Sequence, residues 1–128
     1  MKEATKPFEI IYITFFISKS ADEDIYSFMA IDEFSDFLFP SIMVPEFKND
    51  DEFIGTLVKF FNGINDSYNR EIHAQSTTYI VDLPEVFHPF VKSMIMKDDN
   101  LVYSPEKVVK IFKPVFKEMG IFEWLLKE

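Results

Sequence analysis

The stretch FEIIYITFFIS, residues 8–18, is apolar on both faces of an extended chain. β-Branched residues dominate it and Glu9 interrupts it, which favours a buried strand over the apolar segment of a signal peptide. A strand that is covered on both faces lies inside a sheet between two layers of other elements. We therefore expect residues 8–18 to form the central strand of a sheet.

Two further strands are predicted directly after the central one. They cover residues 25–31 and 37–44 and are joined by short polar loops, so an antiparallel meander is the simplest arrangement. Pro40 lies inside the third strand and has no backbone N–H. This strand is therefore expected at an edge of the sheet or with a bulge at the proline.

Helices and strands alternate in the rest of the chain. Asn49 or Asp50 caps a first helix, whose apolar residues recur at helical spacing as far as Ile64, with a stop at Gly63 and Asn65. A strand in residues 77–83, a helix from Pro84 through Ile95 and a strand over Leu101–Tyr103 are predicted next. The last predicted helix starts at Ser104 and Pro105, is kinked or split by Pro114, and ends at Gly120. A last turn is predicted over residues 121–126.

The resulting order of elements is β-β-β-α-β-α-β-α. Three antiparallel strands, followed by a helix that leads to a strand parallel to the first, form the ribonuclease H-like arrangement, and a right-handed crossover through the helix fits it. A length of 128 residues is typical of one domain. We therefore expect an α/β fold with a mixed sheet, in a single ribonuclease H-like domain over residues 1–128.

The composition restricts the classes of function. Apolar residues make up 48% of the chain and aromatic residues 17%, which is ample for a packed core. The absence of cysteine excludes a disulfide scaffold and a thiolate metal site, and it is compatible with the cytoplasm, where we expect the protein. No apolar run reaches the ~20 residues of a membrane span. The 22 acidic and 13 basic residues, a net charge of -9, argue against DNA binding.

The hairpin between the second and third strands resembles a known family. Its motif is Ala30-Ile31-Asp32-Glu33-Phe34-Ser35, inside YSFMAIDEFSDFLFP at residues 26–40. This motif is similar to the second and third strands of retroviral-type integrase cores and related bacterial transposases. The stretch FKNDDEFIGTLVKFF, residues 47–61, likewise resembles the first helix of the family. The resemblance extends from about Glu9 to Met119.

The resemblance implies a metal site of three carboxylates, two Asp and one Glu, because two hard cations ~3.5–4 Å apart must be held at the scissile phosphate. The first Asp of the family stands where this chain has Tyr12, ahead of Ile13-Thr14. The second, in a pattern like T-D-N-G-x-E-F, matches Asp82. The Glu, in a stretch such as K-V-E-R-F, falls on Val109. Two of the three expected ligands are therefore replaced.

Three hypotheses about function follow. The first is a non-catalytic, integrase-core-like domain with no cofactor, which serves as an interaction or regulatory module for an unidentified protein partner or as a homodimer. The second is an active nuclease or transposase fragment that uses Mg²⁺ or Mn²⁺ held by Glu9, Asp82 and Glu106, since Glu106 is one helical turn from Val109. The third is an unrelated small α+β binding module. The two missing ligands favour the first hypothesis, in which the protein is not an enzyme.

Overall fold

The computed structural model describes residues 3–19, 24–44, 49–66, 76–83, 85, 88–95 and 98–119. Within these ranges the elements follow the order that the sequence predicts. Five strands and three helices are present: β1 (Ile10–Lys19), β2 (Asp24–Asp32), β3 (Ile42–Val44), α1 (Asp50–Asp66), β4 (Thr78–Val81), α2 (His88–Met94), β5 (Asn100–Tyr103) and α3 (Pro105–Met119).

The five strands form one mixed sheet in the order β3-β2-β1-β4-β5. β1 lies in the centre, antiparallel to β2 and parallel to β4, as the doubly apolar run predicts. The register aligns Tyr12 with Ile31 on one side and with Ile80 on the other. β3 pairs antiparallel with β2, and β5 pairs parallel with β4.

Each face of β1 belongs to a different hydrophobic cluster. Ile11 and Ile13 are fully buried in a cluster with residues of α1 and α2, including Leu57 and Val91. Tyr12 and Phe16 lie in a second cluster with Val108, Phe112 and Phe116 of α3. The alternation of β1 therefore places α1 and α2 on one face of the sheet and α3 on the other.

The first and third strands are shorter than predicted. β1 begins at Ile10 because Phe8 has a left-handed backbone conformation, with φ 68°, and lies before the strand. The regular ladder of the third strand starts at Ile42; before it, Leu38 forms an isolated bridge with Ile31, flanked by backbone hydrogen bonds from Asp32 N–H to Phe37 O and from Phe39 N–H to Ala30 O. Pro40 lies in the gap, where a residue without an N–H interrupts the ladder.

The helices also depart from their predicted ends. α1 continues past Gly63 to Asp66, and α3 continues through Pro114 to Met119, so the prediction that Pro114 could split the helix is wrong. Pro114 and Lys110, whose carbonyl would have bonded at this point, are both exposed, so water can satisfy that carbonyl. The fourth strand is shorter than predicted, and α2 ends at Met94, one residue before its predicted end. Pro84, residues 86–87, Gly120 and the predicted turn over residues 121–126 lie outside the described residues.

Candidate functional site along the central strand

Asp82 directly follows β4 and lies beside the middle of β1. Its Oδ2 accepts a hydrogen bond of 2.8 Å from Thr14 Oγ1, and its Oδ1 accepts one of 3.1 Å from the backbone N–H of Phe15. Thr14 is fully buried, whereas Asp82 is half-buried. The carboxylate thus continues the contact between β4 and β1 for two residues after the ladder ends.

Tyr12 projects from β1 toward α3 and is 8% exposed. Its hydroxyl donates a hydrogen bond of 2.9 Å to Glu33 Oε2. The other oxygen of Glu33, Oε1, accepts from the backbone N–H groups of Glu3 at 2.7 Å and Ala4 at 2.9 Å. Glu33 is itself 6% exposed, so this carboxylate is buried with three donors.

Burial raises the pKa of the Tyr12 hydroxyl well above its usual range, and the hydrogen bond to Glu33 and the charge of that carboxylate add to the shift. Desolvation disfavours the phenolate, and a neighbouring anion disfavours it further. Tyr12 therefore stays protonated at neutral pH and acts as a hydrogen-bond donor.

Asp32 is a second buried carboxylate in the same hairpin. It is fully buried, and its Oδ1 accepts a hydrogen bond of 2.9 Å from the backbone N–H of Phe8. Its Oδ2 accepts from the backbone N–H of Ser35 at 3.1 Å and from Ser35 Oγ at 2.6 Å. Asp32 thus holds both its own turn and the residue that enters β1, which explains how Phe8 keeps a left-handed conformation.

The backbone N–H of Glu33 and the carboxylate of Asp82 bond to β1 on opposite sides of Tyr12 along the strand. The backbone N–H of Glu33 bonds Ile10 O, two residues before Tyr12, whereas Asp82 bonds Thr14, two residues after it. The Tyr12 hydroxyl is engaged at the Glu33 end. Tyr12 lies on β1 and Asp82 directly follows the neighbouring β4, whereas the Tyr12 hydroxyl is directed toward Glu33.

The remaining candidate residues lie in three different environments. Val109 is half-buried and packs against the cluster between α3 and the sheet. Glu106 lies in the first turn of α3 and is exposed. Glu9 bonds to Thr5 through both carboxylate oxygens, at 3.2 Å to the backbone N–H and 3.0 Å to Oγ1. The backbone carbonyl of Glu9 accepts from Thr78 at the start of β4.

Within the described ranges, no group of three or more His, Cys, Asp or Glu side chains is arranged to hold a metal ion. None of the helices described is long and apolar enough to cross a membrane.

The roles of Asp32 and Glu33 are not evident from the sequence, which presents them as polar residues of a turn. One signal was available: they continue the two-residue period of β2, so one falls on each buried face. Charged groups at such positions need dedicated donors.

Comparisons with known proteins show a similarity at the level of the fold. No protein-family model and no curated protein matches the sequence. The fold is similar to that of a chain in a solved structure of the simian T-cell lymphotropic virus intasome in complex with the PP2A regulatory subunit B56 gamma. The TM-score is 0.52 and the identity 10%, over 91% of this chain and 44% of that chain. This protein thus spans less than half of that chain, and the likeness is one of fold.

Proposed function

We propose that the chain is a ribonuclease H-like domain related to integrase cores, and that it serves as a non-catalytic interaction or regulatory module. The central β1, parallel to β4 and antiparallel to β2, supports the fold assignment. The hairpin motif at residues 30–35 and the fold similarity to an intasome chain support the relationship. Protein partners, including a second copy of the chain, belong to this proposal.

The observation that carries the non-catalytic assignment is the state of Tyr12. It occupies the position where the resemblance implies the first metal-binding Asp, and its hydroxyl is buried and donates to Glu33. A protonated phenol presents no negative charge to a cation, whereas Mg²⁺ and Mn²⁺ sites of this type use carboxylate oxygens. Tyr12 therefore supports a structural role at this position.

The second and third positions support the same assignment. Both oxygens of Asp82 accept hydrogen bonds from β1, and Val109 contributes an apolar side chain to the cluster under α3. One carboxylate, a neutral phenol and a valine do not fit a pair of divalent cations, which need several anionic oxygens. We derive no catalytic step through a metal from these residues.

The alternative nuclease uses Glu9, Asp82 and Glu106. Glu9 lies beside Thr78 and Asp82 beside Thr14, and Glu9 precedes Thr14 by five positions along the chain. At about 3.3 Å per residue this is roughly 16 Å along the strand. Cations in two-metal sites are roughly 3.5–4 Å apart. The separation disfavours a shared site for Glu9 and Asp82.

Metal binding and DNA cleavage test the proposal directly. Isothermal titration calorimetry with Mg²⁺ and with Mn²⁺ should give no specific heat, and a supercoiled plasmid should stay intact in Mn²⁺. The matched pair of variants is Asp82→Asn and Asp51→Asn; Asp51 is exposed in the first turn of α1. Nicking that Asp82→Asn abolishes and Asp51→Asn retains would make the nuclease hypothesis the better one.

DNA binding is a separate test of the proposed class. The exposed lysines of α3 lie on a chain with a net charge of -9; they are Lys107, Lys110, Lys113 and Lys117. A few phosphate contacts give weak binding that falls steeply with salt. We expect no measurable affinity for duplex DNA at physiological salt in a fluorescence anisotropy titration. Sub-micromolar binding would contradict the proposed class.

A further inference from the structure

The two edges of the sheet differ in how they resist pairing with another strand. β3, at one edge, has three residues, and prolines stand at positions 40 and 45 of the sequence around it. β5, at the other edge, has the sequence Asn100-Leu101-Val102-Tyr103, with no charge, proline or glycine. Short strands, prolines and charges are the usual protection of an edge. Of these three kinds of protection, β5 has only its short length.

The outward-facing backbone groups of β5 follow from its bonds to β4. The N–H of Asn100 donates to Thr77 O, and the N–H of Ser104 donates to Val81 O. In a parallel pair, alternate residues direct both backbone groups to the same neighbour. Asn100 and Val102 therefore face β4, and Leu101 and Tyr103 direct their N–H and C=O groups away from the sheet.

We propose that β5 is the interface of a homodimer, in which two copies pair antiparallel across a two-fold axis and join their sheets. The register aligns Leu101 with the partner's Tyr103 and Tyr103 with the partner's Leu101. All four outward backbone groups of each copy then form intermolecular hydrogen bonds. Val102 lies on the axis opposite the partner's Val102, in a pair without mutual backbone bonds.

A second copy fits this edge because the edge is complementary to itself. The interface of a two-fold dimer uses the same patch on both subunits, and this register needs no other sequence. Each copy carries a net charge of -9, and the four residues of β5 are uncharged, so the residues that pair do not repel each other. Val102 and Tyr103, 38% and 47% exposed, are side chains that pairing would cover.

A disulfide trap tests this geometry, since the chain has no cysteine of its own. In the proposed register, a cysteine at position 102 lies opposite itself with Cα atoms about 4.5 Å apart. Disulfides form at Cα separations of roughly 4.4–6.8 Å. Val102→Cys should therefore give a covalent dimer in mild oxidant, seen on a non-reducing gel.

The matched control is Met43→Cys on β3, because Met43 is 54% exposed, more than Val102. We expect it to cross-link at least about tenfold more slowly, since random collisions alone would favour the more exposed thiol. Equal rates for the two variants, or no cross-linked Val102→Cys, would overturn the proposal.

Sedimentation equilibrium of the full chain provides a second test. The natural sequence should dimerise with a dissociation constant in the micromolar range, and added salt should tighten the dimer by screening the repulsion between two acidic copies. Val102→Lys places like charges opposite each other and should weaken the dimer at least about tenfold, whereas Val102→Thr should not.

Circular dichroism verifies that the variants at position 102 are folded. A natural chain that stays monomeric at its highest soluble concentration, or a Val102→Lys dimer of unchanged affinity, would overturn the interface. Neither result depends on the metal and nicking assays, so the dimer and the proposed function can fail separately.

Discussion

The start and the middle of β1 both hold carboxylates against the strand, but they bury them to different degrees. At the start of β1, Asp32 and Glu33 are almost completely buried and accept hydrogen bonds from backbone groups up to 30 residues away. Toward its middle, Asp82 is half-buried and bonds to Thr14 and Phe15. Burial, and not residue type, separates carboxylates that hold the fold from one that water still reaches.

The strongest test of this difference is Asp32→Ala. The substitution leaves the buried N–H of Phe8 without its acceptor and removes the acceptor of both Ser35 donors. We expect the free energy of unfolding to fall by about 3 kcal/mol, since an unsatisfied buried donor costs about 1–3 kcal/mol. Urea denaturation measures this loss.

Asp36→Asn is the control for Asp32→Ala. Asp36 lies in the same turn, is exposed, and has a left-handed φ of 62°, which asparagine tolerates. Its effect should stay within about 0.5 kcal/mol. Equal losses for the two variants would remove the distinction between buried and exposed carboxylates in this hairpin.

Tyr12→Phe tests the other buried carboxylate with a smaller change. It removes only the hydroxyl that donates to Glu33 Oε2 and leaves the two backbone donors in place. A loss of about 2 kcal/mol is expected, in the range for hydrogen bonds to charged groups. A double-mutant cycle with Glu33→Gln should show coupling; strictly additive effects would contradict a direct interaction.

The raised pKa of Tyr12 predicts a particular dependence on alkaline pH. The folded protein keeps a proton that the unfolded chain releases above pH about 10. The contribution of Tyr12 to stability is therefore complete below that pH and is lost as pH rises beyond it, by about 1.4 kcal/mol per pH unit. Tyr12→Phe should lack this part of the slope in urea titrations. Parallel slopes would refute the shift.

Among the three carboxylates that bond to β1 or to the residues before it, the smallest effect on stability is expected at the half-buried Asp82. Thr14→Val keeps the shape of the buried side chain and removes its hydrogen bond to Asp82. Asp82 retains the N–H of Phe15 and access to water, so the loss in free energy of unfolding should be about 1 kcal/mol or less. A loss as large as that of Asp32→Ala would show that Asp82 belongs with the buried carboxylates.

The arrangement of the sheet was largely predictable, because both faces of the apolar run at residues 8–18 can be buried only between two layers of other elements. The parallel pairing of β4 with β1 was predictable because one helix connects the meander to β4. The extent of the third strand was misjudged because Phe37 and Phe39 suit a strand, but Pro40 interrupts the ladder between them and Ile42. Its position at an edge of the sheet agrees with one of the two outcomes predicted from that proline. The β propensity of these residues indicated a strand, and the missing backbone N–H of Pro40 limited its length.

The candidate site was less predictable than the sheet. Asp82 could be placed at the end of β4 through the resemblance to integrase cores, in which the second Asp ends the fourth strand. Two of the three donors to Glu33 could not, because they are backbone N–H groups of residues 3 and 4, which carry no sequence signature. Long-range bonds to the main chain become visible only once the chain is folded.

The central position of β1 has a consequence for synthesis on the ribosome. The pairing of β1 with β4 joins residues 68 positions apart, whereas β2 and β3 follow β1 directly. A nascent chain can complete the three-stranded meander while the other side of β1 has no neighbour. At roughly 5–20 residues per second, those 68 residues take roughly 3–14 s to emerge. During that interval the most apolar strand of the protein is a temporary edge, and this is when misassembly with another chain is most favoured.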